Sequence, residues 1–396
     1  MMFHASPRSL SRPVTTRALP LCALSLWAMT ASASAAPAPA PPAAPEAEAP
    51  YTTADFALVR KFDAHVHVNT RDPAFIEEAR ADQFDLLSIN VDYPDFPPLK
   101  EQAAIADEWH TKDPQHFNYA TTFAMAGWTK PGWADAVNAS LSKAVADGAV
   151  AVKIWKNVGM VERTPDGGWL TINDPVFDPV MARIAELHVP LIAHQAEPLN
   201  AWLPLDKMTT ENDRSYFAAH PQYHMFRHPE QPGYEILIAQ RNQFVARHPE
   251  IPFVGAHLAS VEWSVDRIAR FLDAYPNAVV DMAARMTQLQ YQSLRDRPRV
   301  LRFLLQYQDR ILYGSDLTAD AGAPAAAVRK EARDFWRSDW RYLATQDTQT
   351  IAAIKSKVPG LARPREVVRK LYFDNAQREF LQRAAPAAAR DPAAAR

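Results

Sequence analysis

The stretch "KFDAHVHVNT", residues 61–70, sets two histidines two positions apart, His65 and His67, inside an otherwise apolar run. Side chains alternate across a strand, so both rings fall on one face, and Phe62, Ala64 and Val66 fall on the other. Taken alone, the pattern is either a pair of metal ligands or a strand with one polar face. The rest of the chain decides between the two.

Seven further β-rich runs follow: 84–91, 117–125, 149–155, 189–195, 251–258, 277–283 and 310–316. Helical patterns such as "PVFDPVMARIAELH" and "SVDRIARFLDAYP" lie between most of them. Eight strands alternating with helices predict an α/β fold, a (β/α)8 TIM barrel, rather than separate domains. Parity places Lys153 with Ala151, His194 with Ile192, His257 with Phe253 and Gly255, and Asp316 with Leu312 and Gly314. Each polar member closes its run, and a barrel carries its active site at the C-terminal ends of its strands. A lone His194 or His257 reads as a hydrogen-bonded interior ring, and a lone "GSD" as a turn. Four histidines, a lysine and an aspartate ending five of eight strands read together as a metal site.

The chain has 396 residues, 48% hydrophobic and 22% charged, with a formal net charge of −2. That is ordinary globular composition, without the basic surplus of a nucleic-acid binder. The one cysteine, Cys22, lies in an N-terminal segment with the layout of a secretory signal: Arg8, Arg12 and Arg17, then "ALPLCALSLWAM", then small residues ending in Ala33-Ser34-Ala35. The apolar run is shorter than the roughly 20 residues of a membrane span. Residues 1–35 are therefore expected to be removed on export, leaving a periplasmic or secreted protein with no stable membrane span and a net charge of −5. Without cysteine it has no thiol nucleophile, disulfide or thiolate ligand, so nitrogen and oxygen must hold any metal. Residues 36–50, "APAPAPPAAPEAEAP", read as a Pro/Ala linker, 51–382 as the barrel, and 383–396 as a loose tail.

"DAHVHV", "VKIW", "LIAHQAEP", "FVGAHL" and "LYGSD" resemble, in order, the strand motifs of the amidohydrolase superfamily. The likeness is to the amidohydrolase-2 branch related to aminocarboxymuconate-semialdehyde decarboxylase, over roughly residues 60–382, including the closing "REVVRKLYFDNAQREF". The resemblance implies a divalent metal, usually zinc, as one or two ions. His65 and His67 would bind it, with His194 a further ligand. His257 would ligate a second ion or polarise the substrate, and Asp316 would take the proton of the attacking water. In two-metal relatives a lysine ending strand four is carboxylated and bridges the ions, and Lys153 holds that position here. Its other reading is a charged group that touches substrate or pairs with Asp316.

Residues 196–250 are long for a connection after a barrel strand. They read as a lid or pocket wall, with His224 and Arg227 as substrate contacts alongside His220 and His228, or else as an exposed subdomain. Trp155 and Lys156, with Asn157 and Trp169, follow strand four, and Glu197 and Arg285 follow strands five and seven, so all can line the mouth. The function expected is an exported metal-dependent hydrolase acting on the amide, ester or lactone carbonyl of a small molecule, with homo-oligomers allowed. The alternatives are a metal-dependent decarboxylase on the same barrel and a catalytically silent barrel that binds a ligand.

Overall fold

The computed structural model describes residues 48–383; the expected signal, most of the linker and the tail beyond Arg383 lie outside them. All eight expected strand regions are present: β1 (Lys61–Asn69), β2 (Phe84–Ile89), β3 (Phe117–Thr122), β4 (Ala151–Ile154), β5 (Leu191–Ala193), β6 (Phe253–Gly255), β7 (Ala278–Asp281), and an eighth split into β8 (Ile311–Leu312) and β9 (Leu317–Asp320). Neighbours in sequence are neighbours in the sheet, and all its pairs are parallel. β8 pairs with β7, and β9 pairs with β1. Between them Ala64 N donates to Tyr313 O at 3.0 Å and Asp316 N donates to His65 O at 2.8 Å. The split strand thus joins both ends of the sheet and closes the TIM-barrel ring.

Two hydrophobic clusters follow from this ring. One fills its interior, with Phe62, Ala64, Leu87, Ile89, Ala120, Ile192, Val254 and Leu312. The other lies between strands and outer helices. Helix Val265–Ala274 shows how the outer layer forms: Val265, Ile268, Phe271 and Leu272 are buried at helical spacing, and charged residues lie between them. Near the C-terminus, Ala376 and Phe380 from the closing helical stretch enter the interior cluster. Phe380 stacks on Phe62 at 6.4 Å, and Asn375 Nδ2 donates to Ile311 O at 2.8 Å. Both contacts are at strand beginnings, so this stretch floors the barrel at the end opposite the histidines.

The simple alternation expected along β1 is interrupted. Phe62 and Ala64 face the interior, whereas Val66 and Val68 belong to the outer cluster. The pairing with β2 shifts between Asp63 and Val66. A bulge of this kind re-aims the side chains after it, and here it turns His65 and His67 inward. After β5 the chain runs through short helical turns and helix Glu211–Ala219, then returns to the outer ring as Tyr234–Arg247, whose Leu237, Ile238 and Phe244 are buried. The irregular part after β5 thus ends at Gly233.

Candidate metal centre

His65 Nε2 lies 3.4 Å from Asp316 Oδ1, and His67 Nε2 lies 3.3 Å from the same oxygen. The three ligand atoms fall within 4.8 Å of one another. The His257 ring centre is 4.9 Å from that of His65, and the His194 ring centre is 4.2 Å from that of His257. The structure therefore gathers the four histidines and Asp316 at the C-terminal ends of β1, β5, β6 and β8. His65, His67 and Asp316 form the tight group, and His257 and His194 extend it to one side.

The second nitrogen of three of these rings is already occupied. His65 Nδ1 meets Asp281 Oδ2 at 2.9 Å, His67 Nδ1 meets Ile89 O at 2.8 Å, and His257 Nδ1 meets Ala283 O at 2.9 Å. A carbonyl or carboxylate oxygen accepts, so each Nδ1 must carry the proton, and each Nε2 presents a lone pair. His194 Nε2 is buried and has no hydrogen-bond partner. An orphaned buried imidazole nitrogen is costly unless something binds it. This donor set, of nitrogen and oxygen only, fits a divalent ion such as zinc.

Backbone geometry at the centre is unusual. His257, Leu258, Ala259 and Ser260 all have φ between 51° and 58°, and Asp316 has φ 68°. Left-handed conformations cost non-glycine residues free energy and persist only where surrounding contacts enforce them. The enforcing contacts are visible. Tyr234 Oη donates to Ser260 O, the buried guanidinium of Arg241 donates to Ala259 O, and Ser260 Oγ donates to Ala196 O at 2.6 Å. Strand alternation assigns His257 to the face of Phe253, which is packed outward. The left-handed turn swings His257 back toward the centre, and its backbone N donates to Asp281 Oδ1 at 2.8 Å. Gly314 permits a similar closeness on the other side, since a Cβ there would lie 3.0 Å from His65 Cβ.

Burial alone would raise the Asp316 carboxyl, but His257, His67 and His65 together hold it well below the usual carboxylate range. Burial lowers His257 to about 3 and lowers His194 well below its ordinary value. Burial thus favours the neutral form of His257 and of His194. Lys153 is buried, and loss of solvent brings its amine down to about 8 against the opposing pull of Asp281 and Asp316.

The remaining sequence candidates spread around the mouth. Lys156 and Glu197 are both buried and form an ion pair with each other, with the Lys156 ammonium 5.2 Å from the Trp155 ring centre. Arg285 is buried, lies 3.7 Å from Asp213 and has an unpartnered Nε. His224 is buried and its Nε2 meets Leu203 O at 2.8 Å, a bond within the segment after β5. Arg227 is exposed. Sequence reasoning missed Asp281 and Asp63. Asp63 accepts from Trp336 Nε1 at 2.8 Å and from Ser315 N at 2.9 Å, fixing β1 against an outer helix and the split strand. The signal available for Asp281 was an acid ending "NAVVD", the one charged residue of its strand.

A closed parallel barrel with histidines and an aspartate converging at its C-terminal mouth defines a TIM-barrel protein with a candidate metal site. Residues 62–380 match the family model described as Amidohydrolase, and the chain belongs to the amidohydrolase family. Among curated protein sequences none matches the chain. Solved structures similar to it include an amidohydrolase II (16% identity, 81% of this chain and 99% of that one, TM-score 0.47). A 2,6-dihydroxybenzoate decarboxylase from Rhizobium is 14% identical over 81% of this chain and 98% of that one, TM-score 0.45. The 4-oxalomesaconate hydratase of Rhodopseudomonas palustris is 12% identical over 82% and 96%, TM-score 0.42.

Proposed function

We propose that this chain is an exported, metal-dependent hydrolase that cleaves an amide, ester or lactone. The observation that carries the reading is the convergence of His65 Nε2, His67 Nε2 and Asp316 Oδ1, with the other nitrogen of each ring tied to a fixed acceptor. His65, His67, His194 and Asp316 would hold the ion, with His257 beside them. A divalent ion there, zinc by the chemistry of its donors, supplies Lewis acidity and a water activated near neutral pH.

The chain's own residues do the rest. Asp316 is ionised at neutral pH and sits at the mouth, so it can accept a proton from the attacking water and return it to the leaving group. His257, with its Nδ1 proton committed to Ala283 O, offers a lone pair and not a donor. That favours a ligand or base over a group that polarises a carbonyl by hydrogen bonding. Lys153, if carboxylated, would add a carboxylate able to help hold a second ion. Asp281 and the carbonyls of Ile89 and Ala283 hold the rings in place and leave nothing to reorganise during reaction.

The test is an assay of the purified protein with aryl esters, lactones and anilides, and with hydroxybenzoates for CO2 release. Carbonyl hydrolysis that is lost to a chelator and restored by zinc supports the proposal; chelator-sensitive CO2 release without hydrolysis overturns it in favour of a lyase. Export is checked by expression in a Gram-negative host, where the periplasmic fraction should contain a chain beginning at Ala36.

A further inference from the structure

A cavity of about 430 Å³ opens beside the metal centre, at the C-terminal ends of β2, β4 and β5. That size suits a substrate group of moderate bulk. Three rings wall it. Tyr93 lies 4.8 Å from Trp155 and 6.3 Å from Tyr223, centre to centre. Phe96 links it to the centre, 5.1 Å from Tyr93 and 5.0 Å from His67. The ring faces already hold one cation: the Lys156 ammonium is 4.5 Å from the centre of Tyr223 and 5.2 Å from that of Trp155. Aromatic faces attract cations through their quadrupole, more strongly where water is excluded.

The charge around this cavity does not balance. Glu197 is matched by Lys156. Asp92 and Glu162 also line it, and among the described residues neither has an ion-pair partner. Asp92 accepts only from Met125 N, at 2.9 Å. Glu162 is raised first by burial and then by Asp92, with a hydrogen bond from Trp128 acting the other way, so the two carboxylates oppose each other.

We propose that this cavity is a subsite for a cationic group, an ammonium or guanidinium, borne by the molecule whose carbonyl is cleaved at the metal centre. The proposal rests on the hydrolase reading only in calling that molecule a substrate. The cation would lie against Tyr93, Trp155 and Tyr223 and relieve the repulsion between Asp92 and Glu162. A neutral apolar group would fill the space but leave the two carboxylates unopposed.

The test is equilibrium dialysis of the full chain against phenethylammonium and, separately, its neutral counterpart 2-phenylethanol. Both are measured on zinc-loaded and on chelator-treated protein. The cation should bind one saturable site at least tenfold more tightly than the alcohol, with or without metal. Asp92→Asn combined with Glu162→Gln should remove most of that preference at an unchanged melting temperature; Glu162→Gln alone, at a half-exposed position, serves if the pair does not fold. Equal binding of cation and alcohol to the wild-type protein, no saturable binding, or a folded variant with undiminished preference would overturn the subsite. A failure of the hydrolase reading would appear instead in the turnover assays, with cation binding intact.

Discussion

Asp281 Oδ2 stands 2.9 Å from His65 Nδ1, and both residues are buried beneath the metal centre. The same carboxylate accepts from the backbone of His257 through its other oxygen. One side chain at the end of β7 therefore fixes a ring on β1 and the start of the left-handed turn after β6. Its own ionisation is secured by His65, His257 and Lys153, which outweigh the effect of burial.

Asp281→Asn keeps the shape but removes the charge and one acceptor. The variant should fold and bind zinc about 10- to 100-fold more weakly, the usual scale for losing such an outer partner. Competition against a chromogenic chelator measures this directly. Unchanged zinc affinity in a folded variant would reduce Asp281 to a structural group.

Lys153 decides the number of ions. If its amine is carboxylated, the wild-type protein should hold two ions per chain by elemental analysis. Lys153→Ala should then lose metal, with partial recovery of activity in short carboxylic acids. One ion in the wild-type protein, retained in the variant, would leave a one-metal site of His65, His67, His194 and Asp316.

The Lys156–Glu197 pair is buried on both sides. Removing one partner strands the other charge, at a cost of about 3–5 kcal/mol. Glu197→Gln should therefore lower the melting temperature substantially, and Lys156→Met added to it should recover much of the loss. Additive losses in the double variant would show that each residue acts through other contacts.

Asp339 predicts a pH effect far from the centre. Burial raises its carboxyl to about 8, and Tyr313 Oη donates to it at 3.1 Å. In the unfolded chain the same group ionises near pH 4. Below about pH 4 both states hold the proton and the group has no effect on stability. Between about pH 4 and 8 only the unfolded state releases it, so stability falls as pH rises and the loss is complete above 8. Asp339→Asn retains an acceptor for Tyr313 and cannot ionise. It should match the wild-type protein near pH 4 and exceed it at pH 8–9 by on the order of 1 kcal/mol or more, since one pKa unit is worth about 1.4 kcal/mol. Thermal melts across that range give the answer; parallel curves would contradict it.

Much of this was legible in the sequence because it depends on period and order. Eight apolar runs alternating with helical patterns give a barrel, and polar residues ending those runs fall at one mouth whatever the loops do. The failures have physical causes. The bulge in β1 separates Val66 from Phe62 and Ala64, and no composition signal marks it. His257 reaches the centre through four consecutive left-handed residues held by Tyr234 and Arg241, contacts made from 26 and 18 residues earlier in the chain. Asp281 and Asp63 act through hydrogen bonds across 216 and 273 residues of sequence.

Asp316 bears most directly on whether this barrel performs metal-assisted hydrolysis. Asn in its place keeps the shape and one oxygen ligand but cannot take a proton. Turnover, zinc content and melting temperature should be measured together on Asp316→Asn and wild-type protein. The variant should remain folded and at least partly zinc-loaded while losing roughly a hundredfold or more in turnover per bound ion, the scale of general acid–base catalysis. A folded, zinc-loaded variant that turns over at near the wild-type rate would contradict the proposed role of Asp316, and with it the hydrolytic mechanism.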